Sequence, residues 1–201
     1  CMKYSLTENK IILASKSKVR KDILEKNNIK CKVVAPNVDE EKIKKSLIKE
    51  GVSPEIISKN LAEAKATKVS NLYQEKLVLG ADSIIDLDNE IISKPQNREE
   101  ALEILKKLNG KEHFLISSVT IAKNGCMIWN YTDKAILKMK KFSEDHLKTY
   151  LSKINDNALF SYNVYQIERE GRALFSSIEG DEDTVMGLPI QGIKKYLNNI
   201  L

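Results

Sequence analysis

Short apolar runs bounded by turn residues predict the strands of this chain. Residues 11–15 and 77–87 are nearly continuous apolar runs, as expected of strands that are buried on both faces. Residues 112–122 and 127–139 predict a long hairpin, because Asn124-Gly125 between them is a strong two-residue turn. Further strand signals lie at 31–35, at 86–92, where a small hairpin turns at Asp88-Asn89, and near 172–179.

Apolar residues at helical spacing predict helices over 17–28, 39–49, 55–72, 97–107, 143–153 and 189–200, with a loop before the last of them. Strands joined by helices are typical of parallel pairing, whereas the hairpins require antiparallel pairing. The sequence therefore predicts an α/β fold with a mixed central sheet, flanking helices and two lobes around one continuous sheet. No repeat or linker interrupts the pattern, so we expect one domain over residues 2–201, with Cys1 as an extra residue before a natural start at Met2.

The composition limits the classes of partner. Lysine dominates a formal net charge of +5, and no aromatic residues are interleaved with the lysines, so we expect no nucleic-acid partner. The chain shows neither a run of about 18 apolar residues nor an apolar leader, so we expect no membrane partner. Cys31 and Cys126 are isolated, which is typical of a reducing cytoplasm. A small anionic ligand remains compatible with this charge.

Polar residues cluster where the first strand meets the first helix. Ser15, Ser17 and Arg20 follow the apolar run in a stretch without glycine. A tight turn alone favours Gly, Asn, Asp or Pro, whereas hydroxyls and cations at a helix N-terminus suit a bound anion. Ser17 can equally be a plain N-cap of the helix that follows. Without a glycine-rich pattern, this stretch is not a Walker-type phosphate loop.

Two charged residues lie in apolar surroundings further along the chain. Lys65 sits within the apolar stripe of the 55–72 helix, so it must either reach out to water or meet an anion. Asp82 lies inside the apolar run 77–87, where a carboxylate is costly unless a metal, a cation or hydrogen-bond donors satisfy it. A strand-end aspartate that accepts from backbone amides is the alternative. Lys94, just before a proline, is a weaker signal by itself.

These residues belong to five motifs that occur in a specific order, namely LASKSKVRKDILEKNNI, APNVDEE, LAEAKA, GADSIIDLDNEIISKP and IEGDEDTVMGLPI. In this order and spacing, the chain resembles the Maf proteins, the septum-formation-associated nucleotide pyrophosphatases. The family commonly has Pro and Arg where this chain has Lys18 and Val19, so only Arg20 of the usual arginine pair is kept. The family fold is similar to that of the inosine triphosphate pyrophosphatases, with a long cleft between two lobes.

The resemblance implies hydrolysis of a nucleoside triphosphate to the monophosphate and pyrophosphate, assisted by Mg²⁺ or Mn²⁺. It implies catalysis by Asp82, a metal site at Glu40 and Asp82, and substrate binding by Ser15, Ser17, Arg20, Lys65 and Lys94. The expected partner is thus a nucleoside triphosphate in the cytoplasm, and a homodimer is left open. The competing hypothesis is that the protein is a non-catalytic nucleotide-binding regulator of septum formation. A link between the protein and cell-division arrest is also left open.

The resemblance also points to Val19, Ser83 and Glu168 as positions that bear on which base is bound. A carboxylate at Glu168 accepts hydrogen bonds only, so it suits guanine, whose edge offers N1–H and N2–H₂, or a positively charged 7-methylguanine. A surface glutamate in a charged loop is the alternative. Modified or non-standard nucleotides are therefore among the expected substrates.

Overall fold

The computed structural model describes residues 11–162, 164, 165 and 170–201, and for residues 161 and 162 it describes the backbone alone. Over these residues the predicted α/β fold, with a mixed central sheet and flanking helices, is confirmed. None of the helices in this part of the chain is long and apolar enough to cross a membrane.

The described strands form one seven-stranded sheet. They are β1 Ile11–Ala14, β2 Lys32–Val33, β3 Leu77–Leu87, β4 Glu90–Ile92, β5 Glu112–Lys123, β6 Cys126–Met139 and β7 Phe175–Glu179. The strand order is β2-β1-β3-β5-β6-β7, with β4 paired to β3. β1 is parallel to β2 and β3, whereas β4 and β7 pair antiparallel with β3 and β6. The sheet is therefore mixed, as the alternation of helical connections and hairpins predicts.

Most of the described helices begin at polar caps that the sequence supplies. Their bounds are α1 Lys18–Lys26, α2 Glu40–Lys49, α3 Pro54–Ser70, α4 Arg98–Leu108, α5 Glu144–Ser152, α6 Asp156–Tyr162, α7 Glu182–Met186 and α8 Ile190–Ile200. Five cap side chains each accept a hydrogen bond from the backbone N–H three residues later, namely Ser17, Asp39, Ser53, Asn97 and Ser143. Such caps satisfy N–H groups that have no partner within the helix.

The structure differs from the predicted pattern in its last third. α6 is not among the predicted helices, and α7 lies where a loop is predicted. Both are too short, at seven and five residues, to display a helical apolar period. The strand predicted near residue 172 begins only at Phe175, because Glu170–Leu174 forms a 3₁₀ helix.

Two compact units divide the chain. Unit 1 comprises the chain up to Ser83, Ile116–Asp133 and Asp181–Leu201, and unit 2 comprises Ile84–Leu115 and Lys134–Gly180. β3, β5 and β6 each cross from one unit into the other along their own length. A single domain over residues 2–201 and a cleft between two lobes stay predictions.

The core of unit 1 covers both faces of β1 and β3. One face carries Ile11, Leu13 and Leu79, and it packs with buried residues of α1 and α8, including Ile23, Leu24, Ile193 and Leu197. On the other face Ile12, Ala14 and Val78 pack with Val69 of α3. Because both faces are covered, the sequence of these strands is continuously apolar instead of alternating. This packing holds the end of β1 and the middle of β3 in fixed positions.

In unit 2, α4 packs against α5. Leu105 and Leu108 of α4 and Leu147 of α5 are buried there. His113 is also buried, and its Nε2 lies 2.9 Å from the Tyr165 hydroxyl oxygen. Its surroundings are those of a core residue.

Candidate active site

Most of the predicted site residues lie in unit 1, beside the carboxyl end of β1. Ala14, the last residue of β1, pairs with Gly80 of β3, so that Ser15 and Asp82 follow just beyond this pair. Ligands of open α/β sheets bind outside the carboxyl ends of the parallel strands. The predicted residues in unit 1 are Ser15, Ser17, Val19, Arg20, Glu40, Lys65, Asp82 and Ser83.

The Lys65 ammonium is buried among oxygen atoms. Its Nζ donates to the backbone oxygen of Ala81 at 3.0 Å and to Asp82 Oδ1 at 3.3 Å. Glu40 Oε1 lies 2.7 Å from the same nitrogen. The side chains of Lys65 and Asp82 are 7% and 9% exposed, whereas that of Glu40 is 46% exposed. The Lys65 ammonium therefore contacts carboxylates and does not extend into water. The partly exposed Glu40 carboxylate connects the buried pair to solvent.

The Asp82 carboxylate uses only part of its hydrogen-bonding capacity. Its Oδ2 is buried and, among the described residues, has no hydrogen-bond partner. Within the described ranges its Oδ1 contacts the side chain of Lys65 and not a backbone amide. Ser58 donates to the backbone oxygen of Asp82 at 3.2 Å, which fixes the strand but leaves the carboxylate open. A buried carboxylate oxygen without a partner is rare and requires an explanation, such as catalysis or a bound ion.

Burial and neighbouring charges act in opposite directions on Asp82. Burial raises the pKa of the Asp82 carboxyl above its ordinary value, while the cations Lys65 and Arg20 lower it. Glu40 raises that pKa as well, and Lys44, which the sequence does not single out, lowers it. A buried carboxyl with a raised pKa among cations is typical of functional sites.

Gly80 allows α3 to approach β3 closely. A Cβ atom at Gly80 would lie 2.4 Å from the backbone oxygen of Ala62 and 2.6 Å from the backbone nitrogen of Ala66. Real Cβ atoms do not come this close to backbone, so only glycine fits. Lys65 lies on α3 between these two contacts, and Asp82 follows Gly80 by two residues. The close crossing therefore brings the ammonium to the carboxylate.

Gly80→Ala is expected to lower the free energy of unfolding by about 2 kcal/mol or more, because the backbone of α3 has to move. Urea unfolding of the purified variant measures this loss. Gly51→Ala is a useful comparison, because nothing lies within 4 Å of its Cβ position although φ is +75°. It tests backbone strain alone and should cost about 1 kcal/mol. Equal losses in the two variants would contradict the close crossing.

Arg20 reaches from α1 towards the loop after α7 and towards β3. Its Nε donates to the backbone oxygen of Gly187 at 2.8 Å, and its Nη2 donates to Ser83 Oγ at 3.2 Å. Burial lowers the pKa of Arg20, and the carboxylates of Asp82 and Glu40 raise it. A guanidinium in such surroundings keeps its charge, since its pKa starts far above neutrality. Arg20 is therefore a cation in a fixed position, and its charge attracts the Asp82 carboxylate.

Ser15 and Ser17 shape the turn between β1 and α1. Ser17 Oγ accepts from the backbone N–H of Arg20 at 3.2 Å, which confirms the N-cap interpretation. Ser15 Oγ accepts from the backbone N–H of Ser17 at 3.0 Å. A hydroxyl that accepts one bond still has a proton to donate. The cap therefore does not exclude an additional anion-binding role.

Three further predicted residues are Val19, Lys94 and Glu168. Val19 is half-buried and packs against the apolar core of unit 1, as a structural residue does. Lys94 is exposed in unit 2, where it lines a cavity formed by β4 and α4, and its place relative to Asp82 stays a prediction. Glu168 lies outside the described residues, so its contact with the base also stays a prediction.

Asp82 and Glu40 form a donor set that fits a hard divalent cation. No group of three or more His, Cys, Asp or Glu side chains that could hold a metal ion occurs in the described ranges. However, both carboxylates converge on Lys65, and Asp82 Oδ2 has no hydrogen-bond partner there. Mg²⁺ typically takes one or two carboxylates and completes its shell with substrate phosphates and water. The site therefore suits a cation that arrives with a phosphate-bearing ligand.

The fold and the site together define a class of protein. This is an α/β protein that presents a buried carboxylate and fixed cations beside the carboxyl end of the parallel strand β1, where ligands of such sheets bind. The profile of the family described as Maf-like protein matches residues 10–200 of the chain. The chain therefore belongs to the Maf family.

Individual relatives cover almost the whole chain. A nucleoside triphosphate pyrophosphatase of Pelagibacter ubique (strain HTCC1062) is 65% identical over 190 residues, which cover 94% of this chain and 97% of that protein. A 7-methyl-GTP pyrophosphatase of Rhizobium etli is 35% identical over 181 residues, or 90% and 91% of the two chains. Among solved structures, a HAM1 protein from Coxiella burnetii aligns with 94% of this chain and 97% of its own at 12% identity and a TM-score of 0.49, which is too low to carry an argument.

Proposed function

We propose that this protein is a nucleoside triphosphate pyrophosphatase, which adds water across the anhydride bond between the α- and β-phosphates. The proposal is carried by the buried Asp82 carboxylate, whose Oδ1 contacts Lys65 and whose Oδ2 has no hydrogen-bond partner in the described part of the chain. The relatives named above, a nucleoside triphosphate pyrophosphatase and a 7-methyl-GTP pyrophosphatase, support the same reaction.

Asp82 is the proposed catalytic group. A carboxyl whose pKa is raised by burial is suited to take a proton from water near neutral pH. The oxygen of that water forms the new bond to phosphorus, its proton passes to the carboxylate, and pyrophosphate leaves with the electrons of the broken P–O bond. Lys65 holds the carboxylate in place and provides positive charge where the phosphoryl oxygens gain negative charge.

Arg20, Lys65 and Lys94 are the proposed cations that bind the triphosphate. The guanidinium of Arg20 is a planar fork suited to phosphate oxygens. The hydroxyls of Ser15 and Ser17 accept from backbone N–H groups and can donate their protons to the same phosphates. The positive end of the α1 dipole adds to this attraction.

Glu40 and Asp82 are the proposed ligands of Mg²⁺ or Mn²⁺. When bound, such a cation polarises phosphoryl oxygens and lowers the pKa of water. Asp82 Oδ2 and the partly exposed Glu40 carboxylate are the atoms of this chain that would hold it.

The choice of base is proposed to depend on three positions, Val19, Ser83 and Glu168. The carboxylate of Glu168 favours an edge that offers two donors, as guanine and 7-methylguanine do. We also propose that the protein acts in the cytoplasm, which is compatible with the free thiols of Cys31 and Cys126. A homodimer stays a prediction that light scattering would check.

Turnover of a nucleotide panel tests the proposed function. The purified protein is incubated with GTP, 7-methyl-GTP, UTP or dTTP, with Mg²⁺, with Mn²⁺ or with EDTA, and pyrophosphate and orthophosphate are measured separately. We expect pyrophosphate to appear in equal amount to the nucleoside monophosphate, without orthophosphate, and to be lost with EDTA. Nucleotide binding without pyrophosphate release would instead support a non-catalytic regulator.

A further inference from the structure

Two linked hydroxyls, the half-buried one of Ser83 and the buried one of Ser117, run from Arg20 into the interior of unit 1. Arg20 Nη2 donates to Ser83 Oγ at 3.2 Å, and Ser83 Oγ lies 2.7 Å from Ser117 Oγ on the neighbouring strand β5. Ser117 Oγ in turn donates to the backbone oxygen of Thr184 in α7 at 2.9 Å. We infer that Ser117 is a positioning residue, which holds Arg20 in the site by way of Ser83.

The direction of each hydrogen bond follows from counting protons. A serine hydroxyl has one proton to donate, and Ser117 uses it on the Thr184 carbonyl. Ser83 must therefore donate to Ser117, and its lone pairs are left to accept from Arg20, which can only donate. Every donor and acceptor in this series of hydrogen bonds has a partner only when the bonds run in this direction. The orientation of the Ser83 hydroxyl is thus determined by Ser117.

The far end of the chain is anchored rigidly. Ser117 and Thr184 are both completely buried, and Thr184 Oγ1 donates to Asp133 Oδ2 at 2.6 Å. Gly187, one turn later, accepts from Arg20 Nε and has a φ of +122°, a backbone conformation that favours glycine. The guanidinium is therefore held by two groups, of which one is a backbone oxygen and the other depends on Ser117.

Such anchoring matters because Arg20 is a long side chain. A free arginine loses rotamer entropy whenever it binds a ligand, and a side chain that is already fixed avoids this cost. The inference rests on the proposed function for its catalytic consequence, because there Arg20 binds the triphosphate. The expected effect of Ser117 on the mobility of the Arg20 guanidinium is independent of that function.

Ser118 is a matched control on the same strand. It is as buried as Ser117, and its Oγ lies 2.8 Å from Thr132 Oγ1, outside the chain of bonds to Arg20. Ser117→Ala and Ser118→Ala each remove one buried hydroxyl, so their effects on stability should be similar. Only Ser117→Ala removes the acceptor that orients Ser83.

The experiment measures kinetics and Arg20 mobility in both variants. We expect Ser117→Ala to raise KM for the nucleotide about tenfold with little change in kcat, because a hydrogen bond to a charged group that binds ground and transition states alike is weakened. Ser118→Ala should leave KM unchanged. The Nη2–H₂ signal of Arg20, which belongs to the nitrogen that donates to Ser83 and is assigned by its absence in Arg20→Lys, should exchange faster with water in Ser117→Ala only. Ser117→Thr, which restores the hydroxyl, should restore both.

A double variant decides whether Ser117 acts through Ser83. In the Ser83→Ala background, Ser117→Ala should change KM no further, since the connection is already broken. Should Ser117→Ala fail to fold, Ser83→Ala alone must show the faster Nη2–H₂ exchange. Identical KM values and exchange rates in the Ser117 and Ser118 variants would overturn the inference. A wild-type protein without pyrophosphatase activity would refute the proposed function, and the exchange measurement would still decide the inference.

Discussion

Asp82→Asn is expected to slow pyrophosphate release by about 10²-fold or more while the protein stays folded. Asparagine has nearly the same shape, but it cannot take a proton from water, and it is a weaker ligand for a hard cation. Burial disfavours the charged form of Asp82, so removing the charge relieves a desolvation cost. Lys65 keeps Glu40 as a partner in this variant. Steady-state kcat and thermal unfolding, measured together, separate loss of chemistry from loss of fold.

Asp86→Asn is the matched control for this experiment. Asp86 lies on the same strand and is buried, as Asp82 is. Its Oδ1 accepts from the backbone N–H of Asn89 at 2.9 Å, so it stabilises the hairpin turn and has no proposed part in the chemistry. We expect it to lose some stability and to keep its kcat. A near-normal rate in Asp82→Asn would remove Asp82 from the mechanism.

Lys65→Met is expected to lower the free energy of unfolding by about 3–5 kcal/mol, because it leaves Asp82 buried without its nearest cation. The apolar stripe around Lys65 would by itself favour methionine, but the ion pairs with Asp82 and Glu40 reverse that expectation. Nucleotide affinity should fall as well, since one phosphate-binding cation is removed. Urea unfolding and nucleotide titration measure the two effects separately.

The stability loss in Lys65→Met should depend on pH. Lys65 lowers the pKa of Asp82 in the wild type, so the raised pKa should rise further in the variant. A carboxyl whose pKa is raised on folding contributes stability that is present below its unfolded pKa and lost as the pH rises through its folded pKa. The difference between variant and wild type should therefore be smaller in acid than in alkali.

Lys59→Met is the control for the lysine substitution. Lys59 is exposed on the same helix α3, so the change removes a charge without breaking a buried pair. Surface substitutions of this kind usually change stability by less than about 0.5 kcal/mol. Equal losses in the two methionine variants, or a loss in Lys65→Met that does not vary with pH, would contradict the buried pairing.

Most of the secondary structure could be predicted from the sequence, because its signals are local. The bounds of β3 agree with the apolar run at 77–87, and α2 begins at Glu40 after its Asp39 cap. The short helices α6 and α7 could not be predicted, since neither is long enough to show a period. Local signals thus determine long elements and miss those of one or two turns.

The sequence also indicated which residues conflict with their own elements. A lysine on an apolar stripe and an aspartate within an apolar strand each need a partner, so Lys65 and Asp82 could be selected as site residues before any contact was known. The sequence did not show that these two residues satisfy each other. The family resemblance grouped Glu40 with Asp82 as metal ligands, but it did not show that Glu40 also contacts Lys65.

Only the tertiary structure decided those partners. Arg20 donates to the Gly187 carbonyl, which lies 167 residues away in the sequence, and Ser83 bonds to Ser117, which lies 34 residues away. Such contacts depend on which strands become neighbours and on how closely a helix crosses them, as the glycine at position 80 allows for α3. Residue type and local spacing indicate whether a side chain needs a charged or hydrogen-bonding partner, because this need is a property of the side chain and its own element. Which group meets the requirement depends on the packing of distant segments, and no local pattern records it.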